Sequence, residues 1–153
     1  MNNNNENIEV KPAQKDNIDH QKGIWIVRND NISFDLITKE EITYEQHCVW
    51  WDKIHDYEHV YVIIFQGKVI GYIRLTKQRT KFKEKNEVSI AIAKDYHNRG
   101  FGSQAYEIFE KKIRSKGVST IIASTHVQNI QGQKFFEKNK FERTYLRYTK
   151  KLK

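Results

Sequence analysis

The stretch from Glu87 to Gly117 constrains this chain more than any other. It reads as a strand-like EVSIAIA, a short connector, the glycine-bearing HNRGFGS and then an amphipathic helix. A strand that turns through a glycine loop into a helix makes backbone N–H groups converge where the helix dipole is positive, which is an anion site. Gly100 and Gly102 let the backbone turn tightly and let a phosphate approach with no Cβ in the way. Arg99 adds a positive charge beside them. From Ser103 onward, Ala105, Tyr106, Ile108, Phe109 and Ile113 recur at three- and four-residue spacings, with Glu107–Lys111 and Glu110–Arg114 as i,i+4 pairs on the other side. Gly117 ends the helix. A two-glycine loop ahead of a helix also serves as a plain connector. The spacing lacks the third glycine of a dinucleotide fingerprint and the Gly-Lys-Ser/Thr of a triphosphate loop.

Around this centre the chain reads as alternating elements. Ile8–Lys11 opens a short strand, and a helix capped by Asp16 runs to about Arg28 with Ile18, Ile24, Trp25 and Val27 apolar. A second helix starts at Thr43, with Gln46 as capping-box partner and Val49, Trp50 and Ile54 on one face, and ends before Tyr57. VYVIIF (Val60–Phe65), the turn Gln66-Gly67 and VIGYIRLT (Val69–Thr76) predict an antiparallel hairpin. After the central strand and its helix, Ser119–Thr125 reads as a buried strand, Asn129–Lys138 as a short helix, and FERTYLRYTKKL as a terminal strand of alternating character. The expected order is β-α-α-β-β-β-α-β-α-β. This is a single α/β domain with a mixed central sheet flanked by helices on both faces.

At 153 residues the chain has length for one proper core. Lys and Arg number 27 against 19 Asp and Glu, a formal charge of +8 that favours an anionic partner: a phosphorylated cofactor, a nucleotide sugar or a nucleic acid. The charge gathers in Lys77–Lys85 and from Lys134 to Lys153, which fits solvated loop and tail charges better than a nucleic-acid stripe. No aromatic residues interleave with it in a repeating way, so no nucleic-acid partner is expected. The one cysteine, Cys48, has no disulfide partner and no companion ligands at metal spacing, so no metal is expected. No apolar run reaches the ~20 residues that cross a bilayer, and the start, MNNNNENIEV, is polar and acidic where a signal peptide is basic and then apolar. These features predict a protein without membrane insertion in the cytoplasm.

Element order and motifs together resemble the GNAT superfamily of acetyl-CoA-dependent N-acetyltransferases, over about Ile8 to Leu152. The strand Val88–Ala93 followed by His97-Asn98-Arg99-Gly100-Phe101-Gly102 is similar to the family's Gln/Arg-x-x-Gly-x-Gly/Ala pyrophosphate loop. Asn129-x-x-Gly132-x-x-Phe135-Phe136-x-Lys138-x-x-Phe141 resembles its Asn-x-x-Ala-x-x-Phe-Tyr-x-Lys-x-Gly-Phe block, whose asparagine contacts the pantetheine arm. The resemblance implies a single acetyltransferase domain over 8–153, behind a polar, frayed N-terminus at 1–7. It also implies acetyl-CoA as cosubstrate, held by His97, Asn98, Arg99, Gly100, Phe101, Gly102, Ser103, Asn129 and Phe136. The backbone amides of Ile90 and Ile92 are expected to meet the pantetheine amides and polarise the thioester carbonyl. Three positions depart from the pattern. His97 replaces Gln or Arg, Lys140 replaces a glycine, and Phe136 stands where many members carry a tyrosine that protonates the departing thiolate. The proton must then come from the ammonium, from water, or from another tyrosine such as Tyr106 or Tyr145.

For the acceptor side, Val27-Arg28-Asn29-Asp30, Ile42-x-x-Glu45-x-His47-x-x-Trp50-Trp51 and Ile70-Gly71-x-Ile73-Arg74 resemble GNAT enzymes that acetylate nucleotide-linked amino sugars for surface glycans. The same residues would serve equally as core. Glu87, where several GNAT enzymes place a carboxylate, is the leading candidate for the base that deprotonates the acceptor amine, and His47 is the second. Glu87 also reads as an edge carboxylate paired with a lysine, and His47 as a structural histidine on an amphipathic helix. The expected function is transfer of an acetyl group to a small-molecule primary amine, with a nucleotide-linked amino sugar first. The alternatives are a protein N-terminus, another small amine, or a catalytically weak acetyl-CoA-binding module. Exposed edges on the hairpin and the terminal strand would allow a homodimer.

Overall fold

The computed structural model describes residues 7–31, 40–54, 59–79 and 84–152. Its elements are β1 (Ile8–Pro12), α1 (Ile18–Asp30), α2 (Tyr44–Lys53), β2 (Val60–Phe65), β3 (Lys68–Arg79), β4 (Glu84–Ile92), α3 (Phe101–Ser115) and α4 (Ile130–Lys138). The four strands form one antiparallel sheet in the order β1-β2-β3-β4.

β2 lies inside the sheet, between β1 and β3, which explains why VYVIIF is apolar at every position. Tyr61, Ile63 and Phe65 face one side and pack against Phe101, Ala105, Tyr106, Phe109 and Ile113 of α3. Val60 and Val62 face the other side and pack with Ile24 of α1 and Trp51 of α2. The sheet is thus covered on both faces, and each fully buried side chain of this kind contributes about 1.5–3 kcal/mol. The ring of Tyr61 meets Phe109 edge to face at 5.2 Å.

The helix starts follow local chemistry. Thr43 and Gln46 form a reciprocal capping box on α2, as its sequence predicts. On α1 the cap is Asn17, not Asp16, because it is the Asn17 side chain that accepts from the N–H groups of Asp19 and His20. On α2 the buried face carries His47 and Trp51, while Val49 is exposed, so the expected stripe is rotated. The second helix ends before Tyr57 as expected, at Lys53 with Ile54 as its C-cap. The expectation for the frayed start meets residues 1–6 and part of the basic loop meets 80–83, both outside the described residues.

Two expected strands are absent among the described residues. Ser119–Thr125 contributes a single parallel bridge, Glu87 with Ile122, so the mixed character of the sheet reduces to one rung. Val88 N donates to Ile122 O at 2.9 Å and Ile122 N to Asn86 O at 2.8 Å. Beyond Ile122 the chain leaves the edge to reach the cap of α4. Residues 142–152 are exposed and form no strand, since alternation makes a strand only where an edge accepts it. The hairpin edges expected to be exposed are both taken, that of β2 by β1 and that of β3 by β4. No helix among the described residues is long and apolar enough to cross a membrane.

Candidate functional site

A cleft of about 3010 Å³ opens between β4 and α3 on one side and residues 118–149 on the other. Its floor follows from the hydrogen-bond parity of β4. Ala93 N donates toward β3, to Ile70 O at 2.8 Å, whereas Val88 N donates toward Ile122 on the opposite edge. Backbone groups alternate along a strand, so Ile90 and Ile92 share the edge of Val88. Ile122 has departed by then, and the peptide groups of Ile90 and Ile92 therefore face the cleft. The Ile92 carbonyl accepts from His97 Nε2 at 2.6 Å and from Asn31 Nδ2 at 2.8 Å.

At the end of β4 the chain makes a short 3-10 turn, Lys94–Tyr96, and enters α3 through Gly100. Gly100 has φ +81°, and an added Cβ there would meet nothing, so glycine is required by the left-handed conformation and not by crowding. No side chain caps α3, which leaves its first N–H groups with only the cleft before them. Asn98 is also left-handed, at φ 58°. The Arg99 guanidinium stacks on Phe101 at 4.8 Å and lies 5.6 Å from the rings of Phe65 and Tyr96. Gly102 permits a close approach: a Cβ there would sit 3.2 Å from the ring of Phe135 on α4. The Ser103 hydroxyl accepts from Asn139 Nδ2 at 3.2 Å.

Across the cleft, Asn129 caps α4, its Oδ1 accepting from Gly132 N at 2.9 Å. Phe136 packs edge to face against Phe135 and Phe141. Tyr106 lines the same cleft. Burial raises its hydroxyl well above the ordinary tyrosine range, and a hydrogen bond to Glu110 pushes the same way. Tyr145 is exposed on the other wall.

The structure brings Ile90, Ile92, His97, Asn98, Gly100, Phe101, Gly102, Ser103, Asn129 and Phe136 around one cleft, whereas Arg99 is not in its lining and sits over the rings of Phe65, Tyr96 and Phe101. Glu87 sits half-buried at the bridge where the edge of β4 begins to open. His47 lies elsewhere, fully buried under α2 among Tyr44, Trp50 and Trp51. Its Nε2 donates to Gln21 O at 2.9 Å, and burial holds its pKa below the usual imidazole value. Sequence reasoning overlooked Asn31, which clasps Ile92 O and Val27 O together, and Asp30, whose carboxylate accepts from Lys94 N. Both close α1 onto the end of β4. Their signal was a polar pair at a helix C-terminus, in a segment weighed only as a subgroup motif. Among the described residues no cluster of three or more His, Cys, Asp or Glu is placed to hold a metal.

The sequence model of the acetyltransferase (GNAT) family matches residues 16–141. No curated protein matches the chain. Solved structures share its fold. An N-acetyltransferase from Staphylococcus aureus Mu50 is 21% identical, with 89% of this chain and 84% of that chain covered and a TM-score of 0.70. A ribosomal-protein-alanine N-acetyltransferase from Brucella melitensis is 19% identical, with 88% and 84% covered and a TM-score of 0.72. An aminoglycoside acetyltransferase, meta-AAC0020, from an uncultured soil metagenomic sample is 14% identical, with 95% and 97% covered and a TM-score of 0.67.

Proposed function

The chain belongs to the acetyltransferase (GNAT) family, and from that premise we propose that it moves an acetyl group from acetyl-CoA to the primary amine of a nucleotide-linked amino sugar. The observation that carries the coenzyme half is the open edge of β4. Ile90 offers a strand-type donor and acceptor toward the cleft and Ile92 its N–H, the Ile92 carbonyl being held by His97 and Asn31, so the amide-bearing pantetheine arm can complete the sheet there as an added strand would. The uncapped start of α3 lies just beyond, where Gly100, Phe101, Gly102 and Ser103 suit a pyrophosphate. His97 supports this arrangement indirectly, through the Ile92 carbonyl, and Asn129 supports it by setting the start of α4.

On the acceptor side, Glu87 is the proposed base. It stands where the edge of β4 opens, and removing a proton from the acceptor ammonium is the one step the amine requires before it can attack. His47 is structural in this reading, since its ring is enclosed and its Nε2 proton is committed to Gln21. The charge of +8 supports an anionic acceptor over a polycationic one. A second reading has its own support. Phe136 cannot return a proton to the thiolate, which fits a catalytically weak acetyl-CoA-binding module. A protein N-terminus or another small amine remains the alternative acceptor.

The test incubates the protein with acetyl-CoA and a panel of UDP- and dTDP-linked amino sugars, simple amines and N-terminal peptides, and follows release of free thiol. Release with a nucleotide sugar alone supports the first reading. Release with another amine alone replaces the acceptor, and coenzyme binding without release on any acceptor supports the second reading.

A further inference from the structure

We propose that Arg74, stacked on Trp50, is the acceptor's anchor: it holds a phosphate of the amine-bearing substrate on the α1/α2 face of the sheet, beside Glu87. The inference rests on the acetyl-transfer reading and adds the residue that selects the acceptor. β3 and β4 pair so that Arg74 stands directly across from Ser89, and Thr76 across from Glu87. Paired residues share a face, so Arg74, Ser89 and Glu87 are presented together, with Glu87 and Arg74 on a diagonal about 7–8 Å apart. Ser89 is exposed and lines the cleft, so the patch adjoins the cleft at that residue.

The guanidinium of Arg74 lies 5.6 Å from the Trp50 ring. A guanidinium over an aromatic ring keeps N–H groups for other partners, and its planar fork suits a bidentate oxyanion. Arg28 of α1 lines the same cleft and lies close enough to depress the His47 pKa, while Trp50 is 5.3 Å from the His47 ring, so both arginines flank one aromatic group. Both are half-buried, and neither forms a salt bridge with a described carboxylate. Two partly desolvated cations with no counter-ion among the described residues are well placed to take an anion from a ligand. The diagonal then has a chemical sense. Glu87 attracts the ammonium end of the acceptor while Arg74 takes its phosphate, which orients a zwitterionic substrate in a single direction.

All three tryptophans, Trp25, Trp50 and Trp51, lie in α1 and α2, so intrinsic fluorescence reports on this patch. With CoA saturating, the protein is titrated with glucosamine, glucosamine 6-phosphate and a UDP-linked amino sugar. At least one phosphate-bearing probe should saturate at a concentration about tenfold or more below glucosamine. Response to the UDP-linked sugar alone assigns the anion to the nucleotide, and response to the sugar phosphate assigns it to the sugar. Arg74→Gln should abolish that preference, and Arg74→Lys should recover part of it, with the unliganded thermal midpoint kept as the folding control. Arg28→Gln is the second variant, expected to weaken the same probes. Equal affinity for glucosamine and the phosphates, no saturable response to either phosphate probe, or an unchanged preference in Arg74→Gln overturns the proposal. Failure of the acetyl-transfer reading is separate: no acceptor would then release free thiol from acetyl-CoA, with the phosphate titrations unaffected.

Discussion

At the scale of single residues, the proposed chemistry turns on Glu87. If Glu87 is the base, its substitution by glutamine removes proton abstraction but keeps size and hydrogen bonding. The rate should fall about a hundredfold or more, and most steeply at low pH, where more of the amine is protonated. A pH–rate profile identical to the wild type would reject the assignment. The histidines give a second prediction, on stability. His47 and His20 are both held below the ordinary imidazole value of 6.5, with burial the main cause in each. As the pH falls below 6.5 the unfolded chain takes up these protons first, so the stability present above that pH is lost progressively beneath it. For His20 the cost is visible, because its Nδ1 accepts from Gln14 N at 3.1 Å and a protonated ring cannot. Thermal midpoints measured from about pH 7.5 to 5 should decline, and His47→Gln should flatten part of the slope.

Individual elements were legible wherever local chemistry decides them. The capping box of Thr43 and Gln46, the Gln66-Gly67 turn and the continuous apolar run of β2 all act over a few residues, and the structure has each. The cap of α2 is correspondingly testable: Thr43→Ala should cost about 1 kcal/mol of unfolding free energy by denaturant titration, with no change in slope. What the sequence obscured were features set by partners distant in the chain. Asn17 and Asp16 are both good caps, and only the path from β1 into α1 selects the first. Ser119–Thr125 has strand composition, yet one rung forms because the chain turns away toward α4. There the Thr125 hydroxyl lies 2.8 Å from where a Gly132 Cβ would stand. The site divided along the same line. The loop 97–103 was readable from its glycines, while the clasp of Asn31 and His97 on the Ile92 carbonyl joins residues 61 and 5 positions from it and carries no motif.

At the scale of the whole molecule, the cleft separates two bodies of unequal solidity. The sheet with α1, α2 and α3 contains every fully buried side chain named here, whereas α4 has no buried residue and 142–152 are exposed throughout. Segments with little buried apolar area open at low free energy, so their amides should exchange with solvent well before those of β2 and β3. A coenzyme seated between β4 and α4 would touch both bodies and transfer some of the stability of the first to the second. At a ligand concentration a hundred times Kd the bound state gains about 2.7 kcal/mol, equivalent to exchange about a hundredfold slower for amides that open only when the ligand leaves. Hydrogen exchange with and without CoA should therefore show new protection at Ile90 and Ile92, at the start of α3 and across 118–140. β1 and β2, remote from the cleft and already protected, should change little. Protection confined to the α1/α2 face, or absent from the open edge of β4, would place the coenzyme elsewhere and remove the geometric basis of the proposed reaction.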